Sequence, residues 1–291
     1  MKSFFIDLAK FNIKRNVNLK DYNSFKIESR AKVLIEVSSN DVVEVISVLK
    51  KHNKEFIILG AGSNTIFESK VVKKVVVVIK DRASITLKKH CITCGAGESV
   101  SELCFYYIKN GFSGLEWACG IPASVGGAVN MNAGAFGGNM QSVIQSVVCF
   151  DGKEIRRIKC DDCGFGYRRS IFKENGFIVL SVDLNYSIGK KEEIVDIVKS
   201  NLLIRKQKQP SLPSAGSVFK NGETYKAGEL IERMNFKGKS VGGAMVSYKH
   251  ANFIVNNGGA TGKDVVKLIK EIKNLAKIKY NATLCEEVVI Q

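Results

Sequence analysis

No apolar run in the sequence is long enough to cross a bilayer: Val75–Ile79 offers five residues where about 20 are needed. The N-terminal stretch MKSFFIDLAKFNIKR is no secretory leader either. Asp7 breaks its apolar patch and no small-residue cleavage site follows. Both absences predict a cytoplasmic protein with no membrane association. No basic run exceeds three residues, and only nine of the 44 basic side chains are arginine, which argues against a nucleic-acid tail built for planar, two-pronged readout. Proline is scarce as well. Two of the three, Pro210 and Pro213, sit just after a basic, Gln-rich stretch and mark the best candidate linker. Internal repeats and low-complexity tracts are missing.

What is present is an ordinary globular composition with a large charge. The 291 residues are 45% hydrophobic and 25% charged, with a mean hydropathy of +0.00 and a net charge of +16; that length suggests about two domains. The excess is +9 in residues 1–97, −1 in 98–194 and +8 in 195–291, so the middle is neutral and the ends are basic. Eight free-standing cysteines suit a reducing compartment in a chain able to bury a core without staples. Cys91/Cys94 and Cys160/Cys163 form two C-x-x-C pairs, but about 65 residues separate them, beyond usual zinc-ribbon spacing. They read as small core hydrophobes, and no metal is expected.

Periodicity predicts a helix over 42–52, capped by Ser39 or Asn40, and further helices over 100–109, 192–207, 226–234 and 264–279. Strands are expected at 55–59, 75–79, 84–87, 252–256 and 284–290. A hairpin is expected from 142–150 to 154–159 about Asp151-Gly152. From Ile178 to Ile188 every second residue is apolar, which predicts a strand with one buried face. Strands and helices without regular βαβ alternation indicate an α+β fold.

Two glycine-rich loops carry the chemistry. Leu59-Gly-Ala-Gly-Ser-Asn64 follows a strand, where glycines let backbone amides turn toward phosphate oxygens. It is not a Rossmann fingerprint, even with Asp81 about 20 residues on. Thr65 stands at the third glycine position, and too few residues precede Val75 for a crossover helix. The second loop, Gly120–Gly138, packs six glycines into 19 positions, each costing about 0.5–1 kcal/mol relative to Ala in a regular element. Two separated cradles suit a dinucleotide bound across a domain.

At this point the sequence resembles a known family. LGAGSN at 59–64 and GLEWACGIPASVGGAVNMNAGA at 114–135 resemble the flavin-binding motifs of the UDP-N-acetylenolpyruvoylglucosamine reductases. GYRRSIF at 166–172, PSAGSVFKN at 213–221, SVGGAMVSYKHANFIVN at 240–256 and LCEEVVI at 284–290 continue the match in the family's order. The resemblance spans nearly the whole chain. It implies an α+β architecture: a vanillyl-alcohol-oxidase-like FAD-binding domain of two subdomains, 1–80 and 81–200, then a smaller substrate domain, 201–291, whose strand at 281–291 packs back on the first subdomain.

The resemblance also implies the activity, in which electrons pass from NADPH through FAD to the enolpyruvyl ether of a UDP-sugar, giving UDP-N-acetylmuramate for peptidoglycan. Hydride addition at the terminal carbon leaves an enolate-like species that needs positive charge, hydrogen-bond donors and a proton. Carried over by motif, the proton donor is Ser217, and the enolate-stabilising residues are Arg168 and Glu287, the glutamate acting in its protonated form. The cofactor residues implied are Gly60, Ala61, Gly62, Ser63 and Asn64 in the first loop. In the second they are Gly120, Ile121, Pro122, Ser124, Gly126, Gly127, Asn132, Ala133, Gly134 and Ala135. Lys208, Asn221 and Tyr167 are substrate-binding candidates.

None of the three histidines, His52, His90 and His250, lies in a glycine loop, so the FAD is expected to be non-covalent. The stretch between Arg168 and Ser217 is short, as in the family's compact class without a tyrosine-bearing lid. Three departures stand out. Gly222 replaces a usual proline, Ala123 a common glycine and Trp117 a more usual phenylalanine; the first leaves the course of the substrate loop open. The alternatives are another flavin enzyme of the same fold and a basic nucleic-acid-binding protein. The UDP-sugar and NADPH are the expected partners, with no obligate protein partner.

Overall fold

The computed structural model describes residues 2–291, and the chain divides into two compact units. The first gathers residues up to Lys14, Val33–Ala61 and Lys74–Ile204; the second gathers Arg15–Lys32, Gly62–Lys73 and Arg205–Gln291. Both are discontinuous, and the chain leaves the first unit for the second inside the glycine loop, between Ala61 and Gly62.

In the first unit, Leu34 to Val37 of the strand Arg30–Val37 pair in parallel with Val75–Ile79, which pairs in parallel with Phe56–Leu59. Helix Val42–Lys51 makes the crossover and buries Val42, Val45, Ile46 and Leu49, the stripe its periodicity predicts. All five residues of Val75–Ile79 are buried, as a parallel strand covered on both faces requires. The expected cap is different. Asp41 stands at the helix start, while Ser39 is drawn away to the Asp81 carboxylate, which accepts from the Ser39 hydroxyl and, at 2.8 Å, from its N–H. Asp81 also accepts from Gly97 N–H at 2.7 Å, so this aspartate ties three loops of the protein together.

The second sheet of this unit is antiparallel, in the order Ile155–Lys159, Ile144–Phe150, Ile178–Leu184, Ile92–Gly95, Thr86–Leu87. Ile178–Leu184 lies in the middle and is buried on both faces, so the expected strand with one buried face is a correction. The strand ends at Leu184, and Ile188, counted in the alternation, is 87% exposed. Its polar positions are masked by partners. The Asp183 carboxylate accepts from Thr93 at 2.6 Å, from Ser146 at 2.9 Å and from the Arg157 guanidinium.

Burial alone would raise the Asp183 pKa, but these three donors outweigh it and hold the carboxyl below the usual range. Its contribution to stability is therefore fully present above about pH 4 and is lost as pH falls through the lowered folded value. Asp183→Asn keeps the two hydroxyl contacts and loses the charge. We expect it to destabilise the fold by about 1–3 kcal/mol at neutral pH, and by less below pH 4, read as shifts in urea midpoint.

The second unit is a four-stranded antiparallel sheet, Ser214–Ser217, Phe253–Asn256, Ala244–Val246, Ser240–Val241. Helices Ala227–Arg233 and Gly262–Tyr280 share its apolar core. The long helix buries Val265, Leu268, Ile269, Ile272 and Ala276, opens on a Thr261/Asp264 capping box and closes on Asn281 in the left-handed region. The expected terminal strand is shorter than 284–290: only Val289–Ile290 pairs, in parallel, with Thr65–Ile66. No described helix is long and apolar enough to cross a membrane.

Candidate active site

Within the first unit the two glycine loops meet. Phe56–Leu59 ends at Gly60, where a Cβ would lie 2.1 Å from Ser124 Oγ. Ser124 caps the short helix Val125–Asn130, its hydroxyl accepting from Gly127 N–H at 3.3 Å. Gly126 donates to the Ala96 carbonyl at 2.8 Å, and a Cβ there would come within 2.8 Å of the Ala96 methyl. These glycines therefore let three stretches of backbone approach more closely than any side chain would allow. The contact at Gly60 joins residues 64 positions apart, as two cradles for one dinucleotide require.

The rest of the second loop is braced by buried amides. Asn132 is 4% exposed; its Nδ2 donates to the Gly166 carbonyl at 3.0 Å and its Oδ1 accepts from Gln141 N–H at 3.0 Å. Its side chain thus holds the loop to the segment before Arg168. Gly134–Ala135 and Gly138–Asn139 form a small antiparallel ladder, and the Trp117 ring lies where a Cβ of Gly138 would be, with Cδ1 at 2.3 Å. Trp117 Nε1 donates to the Gly114 carbonyl at 3.0 Å, so the tryptophan that departs from the usual phenylalanine is a buried floor for this ladder.

Gly166 and Arg169 exchange two backbone hydrogen bonds at 3.2 Å, closing a tight turn that puts Arg168 at φ +56°. A non-glycine residue there costs about 1–2 kcal/mol. The turn separates two arginines that the sequence leaves side by side. Arg169 pairs with Glu174 at 2.5 Å on the surface. Arg168 reaches back to the Gly134 carbonyl at 3.3 Å and packs its guanidinium 5.2 Å from the centre of the Tyr167 ring. Of the pair, Arg168 is the one tied to the glycine loop.

The other two candidate catalytic residues lie in the second unit. Ser214 pairs with Val255 but Ser217 pairs with Phe253, so the strand carries one extra residue. Gly216, at φ +74°, sits in this bulge immediately before Ser217, the kind of irregularity that re-aims a side chain. The next residue links serine to glutamate: Val218 C=O accepts from Glu287 N–H at 2.8 Å. Glu286, its neighbour, is paired with Lys273 of the long helix at 2.6 Å. Asn64, expected at the cofactor, donates from Nδ2 to the Glu287 carbonyl at 3.1 Å, and its own carbonyl accepts from Val289 N–H at 2.9 Å. Gly62, in the same loop, passes so close to Tyr22 that a Cβ would lie 2.0 Å from its carbonyl oxygen.

A cavity of about 270 Å³ opens beside this strand, lined in part by Asn221, Lys226, Glu229, Lys249 and His250. Asn221 Oδ1 accepts from Ala227 N–H at 3.0 Å, fixing the loop that follows the SVFKN motif. Burial, then the Lys237 charge, push the His250 pKa down. Its Nδ1 accepts from Asn252 N–H at 3.2 Å, so the imidazole is neutral with its proton on Nε2. Lys208 ends the helix Lys191–Lys208 and is exposed, as is Tyr167. The sequence gives no sign that Lys226, Lys249 and His250 share a cavity with Asn221, because only the fold brings the 226 and 249–250 segments together. Among the described residues no three His, Cys, Asp or Glu side chains gather as a metal site would require.

The comparisons agree with this geometry. Residues 31–155, which contain both glycine loops, match the FAD binding domain family. Residues 207–291, which contain Ser217 and Glu287, match the C-terminal domain of UDP-N-acetylenolpyruvoylglucosamine reductase. The reductase of that name from Fervidobacterium nodosum is 40% identical over 94% of this chain and 90% of its own length. That from Lactobacillus helveticus is 39% identical over 98% and 97%. The crystal structure of the Thermus caldophilus reductase superposes with a TM-score of 0.82 at 34% identity, covering 96% of this chain and 99% of that one. The fold is thus the α+β, vanillyl-alcohol-oxidase-like type implied by the motifs, with an FAD-binding domain ahead of a reductase domain. Near full-length identity, matched in fold and in the order of the motifs, makes this chain a member of the UDP-N-acetylenolpyruvoylglucosamine reductase family.

Proposed function

We propose that this chain reduces the enolpyruvyl ether of UDP-N-acetylglucosamine-enolpyruvate to UDP-N-acetylmuramate in the cytoplasm, drawing electrons from NADPH. The observation that carries the reading is the backbone link from Val218 to Glu287, which sets a hydroxyl and a carboxyl from distant parts of the sequence on adjoining segments. On this reading residues 1–80 and 81–200 serve the flavin and 201–291 the substrate. The first loop, Gly60 to Asn64, and the second, Gly120 to Ala135, hold FAD mainly through backbone, since the side chains of Ser124, Asn132 and Asn64 are already engaged. No histidine lies in either loop, and the cofactor is held without a covalent bond. FAD bound there supplies a hydride to the terminal carbon of the enolpyruvyl group.

This chain's residues do the rest. Arg168, permanently charged, offers its guanidinium to the carboxylate on which negative charge develops. Glu287 is the second group placed at that carboxylate. Ser217 delivers a proton to the carbon bearing the ether oxygen and is reprotonated from solvent or a neighbour. Asn221, whose side chain fixes the loop after the SVFKN motif, is placed at the sugar. Lys208 and Tyr167 are further contacts for the substrate.

The test is direct. Purified protein should absorb near 450 nm and lose that absorbance when NADPH is added. It should regain it, without oxygen, on addition of the enolpyruvyl substrate. Acid precipitation should leave the flavin in the supernatant. A reduced flavin that the substrate fails to reoxidise would refute the assignment.

A further inference from the structure

Regular pairing between Ser214–Ser217 and Phe253–Asn256 stops at Ser217 and Phe253, yet Val218 and Phe219 beyond it are buried. A side chain replaces the missing strand. Asn252, 4% exposed, accepts from Phe219 N–H on Oδ1 at 3.0 Å and donates from Nδ2 to Phe219 C=O at 2.8 Å. These are the two bonds that a neighbouring strand residue would make. Its backbone carbonyl accepts from Val218 N–H at 2.8 Å. On the opposite flank Val218 C=O accepts from Glu287 N–H, Lys220 N–H donates to Cys285 C=O at 2.9 Å, and Phe219 lies opposite Glu286. The segment from Ser217 to Lys220 therefore runs between Asn252 on one side and residues 285–287 on the other.

We propose that Asn252 is a positioning residue for the reduction of the enolpyruvyl group. It fixes the register of Val218–Phe219, and through Val218 the spacing of Ser217 and Glu287. The proposal rests on the reading of Ser217 as proton donor. The side-chain amide of Asn252 is spent on Phe219. An aspartate has the same shape and still accepts from Phe219 N–H, but when ionised it turns an oxygen toward Phe219 C=O and cannot replace the second bond.

The experiment compares single-turnover half-reactions of the FAD-loaded wild type, Asn252→Asp, Asn252→Ala, Ser217→Ala and the Ser217→Ala/Asn252→Asp double variant. Thermal melts accompany each, so that an unfolded Asn252→Ala is set aside in favour of the isosteric Asp. Asn252→Asp should slow reoxidation at saturating substrate by about 10- to 100-fold while changing reduction by NADPH by less than about 2-fold. The double variant should be no slower than Ser217→Ala alone, because residues acting through one group are not additive. Equal slowing of both half-reactions by Asn252→Asp, or single effects that multiply in the double variant, would overturn the proposal. Reoxidation unaffected by Ser217→Ala would instead sink the proton-donor reading, and the role of Asn252 with it.

Discussion

Replacing Ser217 by alanine is expected to leave the bleaching of the flavin by NADPH intact and to slow its reoxidation by the enolpyruvyl substrate by about 10²–10⁴-fold, the usual worth of a positioned general acid. The structure makes the substitution clean. Ser217 pairs with Phe253 through backbone, the bulge that precedes it belongs to Gly216, and neither depends on the hydroxyl. Serine is a weak acid in water, so the hydroxyl works only when carbanion character develops beside it and its proton is replaced from behind. A cysteine at 217, bulkier but more acidic, should recover part of the rate, with a pH dependence that the serine enzyme lacks. Stopped-flow traces at 450 nm separate the two half-reactions. Equal slowing of both would assign Ser217 to folding or flavin binding and remove it from the chemistry.

The second large effect concerns the first glycine loop, where space and backbone conformation act together. Gly62 adopts φ +64°, and a Cβ built there would lie 2.0 Å from the Tyr22 carbonyl oxygen and 2.9 Å from Asn23 Cα. Both neighbours are backbone and cannot swing aside. Alanine at 62 therefore carries the left-handed penalty of about 1–2 kcal/mol and an overpacking cost of about 1–3 kcal/mol or more, which together come to about 2–5 kcal/mol or more. Gly137 supplies the control. Its φ is +83° but no atom lies within 4 Å of the added methyl, so Gly137→Ala should cost only the conformational term. Urea midpoints and bound FAD per chain measure both. Similar small losses at the two sites would mean that Tyr22 yields and that the loop is softer than its geometry indicates.

Much of this was legible in the sequence where a pattern is repeated. The helices Val42–Lys51, Val100–Asn110 and Gly262–Tyr280 show the 3.6-residue stripe, and Lys191–Lys208 stops just before Pro210. Burial of a polar residue is harder to read, because it depends on partners. Ser181 and Asp183 made Ile178–Leu184 look half-exposed, whereas Asp183 is masked by Thr93, Ser146 and Arg157 from three other strands. Ser39 was a plausible cap until Asp81, 42 residues away, is brought to it.

The motifs name the candidate residues, and the structure gives neighbours in them different partners. Arg168 and Arg169 are alike in sequence and are parted by a single turn; Glu286 is separated from Glu287 by Lys273. Asn64 and Asn132, legible as loop residues, spend their amides on backbone. Asn252 gave no signal at all, since a lone asparagine in an apolar stretch shows nothing of the carbonyl and amide it will find.

The conformation of Arg168 has a consequence for selection. A long cation held at φ +56° is strained in the backbone but, in the role proposed for Arg168, suited to a developing carboxylate charge. Glycine at 168 would relieve the strain and stabilise the protein by up to about 1 kcal/mol, after allowing for the freedom it returns to the unfolded chain. With the role proposed for Arg168, stability and turnover pull this one position in opposite directions. Mutants chosen only for heat tolerance would drift toward glycine there and lose their enzyme, while growth that depends on cell-wall synthesis would keep the strained arginine in place.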